Sequence, residues 1–209
     1  MPVIRNALDP SKFNPNAELP YQLRLDDIRA AVQDVYDFFH DVNDGLMKRG
    51  LARLDDMTRP AILSGLLSDM LTASLARHSR ALVQNAHFNG YPDLVVQGVY
   101  PRNAVQAGTE GVEIKTTRKA GGAVDTHGPR AGWQAVFVYE VDNESEPAVA
   151  RRPLVFTEVY VAQVGVDDFR RNARGELGTR TATLDRRGVA KLRAHWLYRL
   201  RDRPQASLL

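Results

Sequence analysis

The sequence of 209 residues contains no cysteine. Disulfide bonds and thiolate metal sites are therefore excluded, and we expect a protein of a reducing compartment, the cytoplasm. No stretch reaches the roughly 18 apolar residues that a membrane-spanning helix needs, so we expect no membrane partner. The opening MPVIRNALDPSKFNPN also lacks an apolar segment of signal-peptide length. The apolar content of 44% and the charged content of 25% are ordinary for a soluble globular protein.

Acidic residues are scarce towards the C-terminus. Residues 151–209 hold 13 Lys and Arg against 6 Asp and Glu, whereas residues 1–150 hold 15 against 19. Twelve of those 13 basic residues are arginine. An arginine-rich region favours a polyanionic partner such as nucleic acid, although a solvated charged face has the same composition. A non-catalytic nucleic-acid-binding protein that uses this region is therefore one interpretation of the sequence.

Patterning predicts one domain with a short lead-in. Residues 1–20 are rich in Pro and Asn and predict an extended segment, whereas residues 21–209 predict a single domain. Within that domain, residues 21–80 are helical, residues 82–165 form a sheet core and residues 166–203 form basic C-terminal helices. Helices on both sides of a run of strands predict an α/β, mixed α+β fold with a central mixed sheet flanked by helices.

Apolar residues spaced three and four apart predict the helices. The predicted helices run from Leu25 to a stop at Gly45, from Pro60 to about His78, from about Val166 and from about Arg187. Proline is a favoured residue in the first helical turn, and glycine is a favoured residue just beyond the last turn. Gly45 therefore sets the expected end of the first helix, and Pro60 sets the expected start of the second.

Segments rich in β-branched and aromatic residues predict the strands. They are PDLVVQGVY, EGVEIKTT, WQAVFVYEVD and PLVFTEVYVAQV. In the second of these, side chains alternate between the two faces of the sheet. Val112 and Ile114 therefore suit the core, whereas Glu113 and Lys115 share the opposite face.

Asp93 stands just before the apolar residues of the first predicted strand. If that strand pairs with the second, Asp93 and Glu113 meet at the edge of the sheet, with Lys115 beside them. Adjacent carboxylates resist joint ionisation unless they share a cation, and oxygen ligands suit Mg²⁺. A neighbouring lysine could orient or deprotonate a water, or balance charge on a phosphate. The alternative is an ordinary surface strand whose Glu113 and Lys115 form cross-strand ion pairs.

The order Pro92–Asp93, a gap and Glu113–Ile114–Lys115 resembles the PD-(D/E)XK motif of restriction-endonuclease-like nucleases. The resemblance implies a restriction-endonuclease-like core over roughly residues 60–142. It also implies that Asp93, Glu113 and the Ile114 carbonyl hold Mg²⁺, for which Mn²⁺ can substitute, and that Lys115 is the catalytic lysine. Many members add an acidic metal ligand from the preceding helix, and Asp69, the only acid in this one, is the candidate for that role.

The segment after the motif is glycine-rich and predicts a loop where the family usually has a helix. Its basic residues could supply counter-charge to phosphates, and its glycines allow a close backbone approach. The residues expected to contact DNA are Thr116, Arg118, Lys119, His127 and Arg130. A basic loop without a fixed role is the alternative. Glu110 is a rival for the metal role, but it lies three residues before Glu113 and so on the opposite face of a regular strand.

Together these features predict a Mg²⁺-dependent endonuclease that hydrolyses DNA phosphodiester bonds. A compact nuclease domain favours a type II-like restriction enzyme, and a homodimer would suit double-strand cleavage. A repair or junction-resolving nuclease of the same fold is the alternative within this class.

Overall fold

The structure is a computed structural model that describes residues 3–122, 124–126, 128–172 and 181–201. Within these ranges, six strands form a mixed central sheet flanked by helices, which confirms the predicted mixed α+β class. The α-helices are α1 (Leu25–Lys48), α2 (Leu54–Met57), α3 (Pro60–His78) and α4 (Arg186–Ala194). The strands are β1 (Leu82–Gln84), β2 (Leu94–Val96), β3 (Gly111–Thr117), β4 (Asp125–Thr126), β5 (Gly132–Glu140), β6 (Val155–Val164), β7 (Phe169–Arg171), β8 (Ala182–Leu184) and β9 (Trp196–Arg199).

The central sheet has the strand order β1-β2-β3-β5-β6-β9. Strands β3 and β5 are parallel, whereas the other neighbouring pairs in this sheet are antiparallel. A parallel pair needs a crossover connection, and residues 118–131 supply it. Strand β4 lies in that crossover and joins β8 and β7 in a small antiparallel sheet. The glycine-rich segment thus crosses from one end of the sheet to the other.

A hydrophobic cluster covers each face of the central sheet. On the first face, Ile114 and Phe137 belong to a cluster with buried residues of α1 and α3. On the second face, Val136 and Tyr160 belong to a smaller cluster with Leu192 of α4 and with residues of the small sheet. Side chains alternate along each strand, so β5 and β6 contribute to both clusters.

The first two predicted helices are present, with one corrected end. Helix α3 spans Pro60–His78, as predicted. Helix α1 continues through Gly45 to Lys48, so the predicted stop at Gly45 is wrong. The residue in the left-handed conformation is Gly50 (φ 72°), whose N–H donates to the Met47 carbonyl while the Leu51 N–H donates to the Leu46 carbonyl. This Schellman pattern ends the helix.

The prediction that residues 166–203 form only helices is wrong. The segment from Val166 starts with a short 3-10 turn and becomes β7, which pairs with β8. The final helix ends at Ala194, and the chain then forms β9 along the edge of β6. Aromatic and apolar residues such as Leu197 and Tyr198 suit a strand, and an open sheet edge offers unpaired backbone groups. Pairing with a distant strand therefore outweighs the helical spacing.

The lead-in packs against the domain. It is largely extended, with a 3-10 turn at Pro10–Lys12, and Phe13 forms an antiparallel bridge with Tyr198. The rings of Phe13 and Tyr198 lie 5.0 Å apart, and the Asn14 N–H donates to the Leu197 carbonyl at 2.9 Å. These residues therefore cover the outer edge of β9.

A buried polar cluster joins α1, α2 and the start of β6. Asp55 is 1% exposed; Asn43 Nδ2 and the Leu154 N–H each donate to its carboxylate at 2.9 Å. Arg53, also buried, donates to Asp55 at 3.4 Å and to the Arg152 carbonyl at 2.8 Å. Because buried charges are tolerated only when paired, this cluster fixes how α2 meets the sheet.

We expect Asp55→Ala to lower the free energy of unfolding by about 3–5 kcal/mol, because it leaves the Arg53 guanidinium buried without its carboxylate. The matched control is Asp37→Ala, which removes an exposed pair with Arg5 and should cost less than about 1 kcal/mol. Urea denaturation of both variants measures the two losses. Equal losses would show that the buried cluster contributes no more to stability than the exposed pair does.

Candidate active site

The two acids of the motif meet where the pairing of β2 with β3 ends. These strands are antiparallel, with Leu94 opposite Val112 and Val95 opposite Gly111. The next step along the same register places Asp93 opposite Glu113. The Asp93 N–H donates to Glu113 Oε2 at 3.2 Å, and the Ile114 N–H donates to Asp93 Oδ2 at 2.8 Å. The Asp93 carboxylate thus accepts the Ile114 N–H that a longer β2–β3 ladder would have paired, and the Glu113 carboxylate accepts the Asp93 N–H.

Lys115 completes a group of three charged side chains. It lies two residues after Glu113 on the same face of β3, and its Nζ donates to Glu113 Oε1 at 2.5 Å. Glu113 is 8% exposed, whereas a quarter of the Lys115 side chain is exposed. The structure therefore brings Asp93, Glu113 and Lys115 together, as the sequence predicts.

The surroundings of Asp93 disfavour its ionised form. Burial raises the pKa of Asp93 to about 7, the neighbouring Glu113 carboxylate adds to the rise, and Lys115 opposes it. Two crowded carboxylates of this kind become jointly ionised when a cation compensates their repulsion. Asp93 and Glu113 therefore fit a divalent cation that prefers oxygen ligands.

The Ile114 carbonyl lies on the same free edge of β3. Past Val112 this edge is not paired with β2, and the Ile114 N–H on it bonds to Asp93. The Ser68 hydroxyl of α3 contacts the Ile114 carbonyl at 3.5 Å, a long distance for a hydrogen bond. The carbonyl therefore retains capacity for a further partner close to the two acids.

The other acids considered from the sequence lie in exposed positions. Asp69 follows Ser68 on α3 and is exposed to solvent. Glu110 is also exposed, and it accepts a hydrogen bond from the Tyr21 hydroxyl at 3.3 Å. In the part of the chain that the structure describes, no group of three or more His, Asp or Glu side chains could hold a metal ion. The oxygen atoms that the structure brings together at this edge are those of Asp93, Glu113 and the Ile114 carbonyl.

Tyr91 and Arg130 border the acid pair. Tyr91 is 8% exposed, and the Arg130 guanidinium carbon lies 4.7 Å from the centre of its ring. Burial raises the pKa of Tyr91 to about 12, and the negative charges of Glu113 and Asp93 add to the rise while Arg130 opposes it. Arg130 is therefore the predicted DNA contact that the structure places near the acids.

The remaining predicted DNA contacts lie elsewhere. The Thr116 hydroxyl donates to the Ser64 carbonyl at 2.8 Å, so this side chain faces α3. Arg118 donates to the Val141 carbonyl at 3.1 Å at the far end of the sheet. Lys119 follows it and is exposed. At about 3.3 Å per residue, Arg118 lies roughly 16 Å along the chain from Glu113. His127 lies outside the described residues.

Sequence reasoning did not identify Tyr91 or Gln134 as part of this region. Gln134 is 1% exposed and lies beside Glu113 in the parallel pairing of β3 with β5. The available signal was a glutamine inside the apolar strand WQAVFV, where a buried amide needs a partner. The spatial neighbour could not be identified from it, because the register of a parallel pair is not local information.

Comparison of the sequence with protein-family models gives no match, and comparison with curated proteins gives none either. Across the described ranges, none of the helices combines the length and the apolar character required to cross a bilayer.

We expect the metal-free protein to lose stability as pH rises from about 4 to about 7, because of Asp93. Its pKa is about 7 in the folded chain against an ordinary value of 3.8, so the folded state holds the proton more strongly. Below its ordinary pKa, Asp93 therefore does not lower the free energy of unfolding. Above pH 7 it lowers that free energy by on the order of 4 kcal/mol.

Asp93→Asn keeps the acceptor for the Ile114 N–H and removes the charge. The variant should exceed wild type in stability at pH 8, and the difference should shrink towards pH 4. Urea denaturation without divalent cations across this range measures it. A difference that does not change with pH would contradict the prediction.

We expect Gly111→Ala to separate the two acids. A Cβ at this position would lie 2.0 Å from the Leu94 carbonyl oxygen and 2.6 Å from Pro92 Cγ, so β2 must move away from β3. Overpacking of this kind costs about 1–3 kcal/mol, and calorimetric titration with Mn²⁺ should show weakened binding. The control is Gly65→Ala on α3, where an added Cβ meets open space. Because alanine favours helix over glycine, this variant should raise the free energy of unfolding by up to about 1 kcal/mol. Unchanged Mn²⁺ binding by Gly111→Ala would contradict the role of the close strand contact.

Proposed function

We propose that this chain is a Mg²⁺-dependent endonuclease with a restriction-endonuclease-like core that hydrolyses DNA phosphodiester bonds. The observation that supports it best is the arrangement of Asp93, Glu113 and Lys115 at the end of the β2–β3 pairing. The order of the strands adds support, since β2, which Asp93 immediately precedes, β3, which carries Glu113, and the parallel β5 are neighbours in the sheet.

The proposed mechanism assigns a role to each side chain. Asp93, Glu113 and the Ile114 carbonyl would hold Mg²⁺ or Mn²⁺, which supplies Lewis-acid activation of water and charge neutralisation at the phosphate. Lys115 Nζ is held by Glu113 and is partly exposed, so it can orient the attacking water by a hydrogen bond or offset the charge that builds on the phosphate oxygens. Hydrolysis forms the bond from the water oxygen to phosphorus, breaks the bond to the leaving oxygen and delivers a proton to that oxygen.

Arg130 offers a contact for the nucleic-acid backbone. It is exposed and lies over the ring of Tyr91, a residue that also feels the charges of Glu113 and Asp93. An arginine in this position can pair with a phosphate and offset the repulsion between DNA and the acid pair. DNA is therefore the proposed partner, with Arg130 as its first contact near the site.

The alternative of a nucleic-acid-binding protein without catalysis depends on free arginines near the C-terminus. Several basic residues there have partners in the fold. Arg187 and Lys191 contact the buried Asp168 carboxylate at 3.1 and 2.6 Å, and Arg201 contacts Glu140 at 3.1 Å. Such pairs leave less charge for a polyanion than the composition indicates, so we favour the catalytic proposal.

The deciding experiment is plasmid digestion with Mg²⁺ or Mn²⁺. We expect wild type to cut, and Asp93→Ala and Lys115→Ala each to lower the rate by at least about 100-fold. The control is Asp26→Ala, which removes an exposed carboxylate of α1 and should cut like wild type. Asp69→Ala, measured alongside, decides whether that exposed acid contributes. Discrete fragments would favour a restriction enzyme.

Three results would contradict the proposal. No cutting by wild type on several plasmids, methylated ones included, would reject nuclease activity. Equal cutting by the Asp93 and Lys115 variants would reject this site. Salt-sensitive DNA binding that needs neither Asp93 nor a metal ion, without any cutting, would support the binding-only alternative.

A further inference from the structure

Gln134 has an unpaired polar atom in the middle of the central sheet. The residue is 1% exposed, and its Oε1 makes no hydrogen bond within the described part of the chain. A buried polar atom without a partner destabilises the folded state, so such atoms in native proteins call for an explanation. An apolar side chain of similar size would fill the same position without this cost.

The strand register identifies the only polar neighbour of Gln134 among adjacent positions on its face. Gln134 lies opposite Glu113 of β3 on one side and opposite Ala162 of β6 on the other. Along β5, the positions on the same face are Gly132 and Val136. Of these four neighbours, only Glu113 has a polar side chain. The amide therefore stands at the boundary between the apolar cluster and the acid pair.

Glu113 can accept further hydrogen bonds. Its Oε1 accepts from Lys115 and its Oε2 accepts from the Asp93 N–H, and each carboxylate oxygen has a second lone pair. Neighbouring strands lie about 4.8 Å apart, so side chains at paired positions stand at a separation that one water molecule can bridge. A water there would donate one proton to Gln134 Oε1 and one to the Glu113 carboxylate, and could accept from Lys115 Nζ. Three polar partners are typical of a buried water.

We propose that Gln134 is a positioning residue that fixes the Glu113 carboxylate through one bridging water molecule. With the amide turned by 180°, Nε2 takes the position of Oε1 and would donate to the same water, which still donates to the Glu113 carboxylate. The unpaired amide is then a cost in stability that keeps Glu113 oriented towards Asp93. This role rests on the proposed function, because it assigns the orientation to cation binding.

The test is calorimetric titration of the full chain with Mn²⁺ alone, together with thermal unfolding of the metal-free protein. Gln134→Met keeps the side-chain length and removes the amide, and Gln134→Leu is a second apolar variant. We expect both to weaken Mn²⁺ binding about 10-fold or more, the usual effect of losing a group that orients a metal ligand. We expect the unfolding midpoint of both variants to stay equal to that of wild type or to rise.

Thr157→Val is the matched control, because it also replaces a buried polar residue of the same sheet by an apolar one. The Thr157 hydroxyl makes only a long bond, 3.5 Å, to the Val138 carbonyl. Mn²⁺ binding by this variant should match wild type. Weakening equal to that of the Gln134 variants would mean that any change in the sheet has this effect, and would overturn the inference.

The other outcomes separate this inference from the proposed function. If wild type binds Mn²⁺ and the Gln134 variants bind it equally well, the inference is overturned while the proposed nuclease stands. If the Gln134 variants lose thermal stability together with Mn²⁺ binding, Gln134 is only structural, and the inference is again overturned. If wild type binds no Mn²⁺, the proposed function and the inference are both rejected.

Discussion

The candidate site depends on the point at which β2 stops pairing with β3. At that point two carboxylates, Asp93 and Glu113, accept the backbone N–H groups of Ile114 and of Asp93 itself. The strand register that forms the sheet therefore also positions the two acids. Their closeness follows from the strand register and from the absence of a side chain at Gly111, where any Cβ would meet the Leu94 carbonyl. The arrangement of the two carboxylates is therefore formed by the fold itself.

This arrangement lowers the free energy of unfolding. A partly buried acid with a raised pKa, a second acid beside it and an unpaired amide two strands from the edge each make the folded state less favourable than apolar residues would. The two hydrophobic clusters of the fold offset that cost. Local conflicts between sequence and stability are typical of functional sites.

Much of the fold and part of the site could be predicted from the sequence, because the relevant signals are local. Helical spacing after Pro60 and alternation in β3 depend on neighbouring residues, and both predictions are confirmed. The strand β9 could not be predicted, since its conformation depends on the open edge of β6, more than 30 residues earlier in the chain. For the same reason Gln134 could not be associated with Glu113. Residue types indicate chemistry, but parallel register decides which of them meet.

The candidate site has one part on the central sheet and another on the crossover between β3 and β5. Asp93 immediately precedes β2 and Glu113 stands on β3, whereas Arg130 stands on the connection that crosses from β3 to β5. Connections tolerate substitution and changes of length far better than the strands that they join. For the proposed nuclease, the group that meets DNA can therefore diverge in evolution while the acids remain in place. Such a nuclease could change its contacts with DNA without rebuilding the sheet that carries its carboxylates.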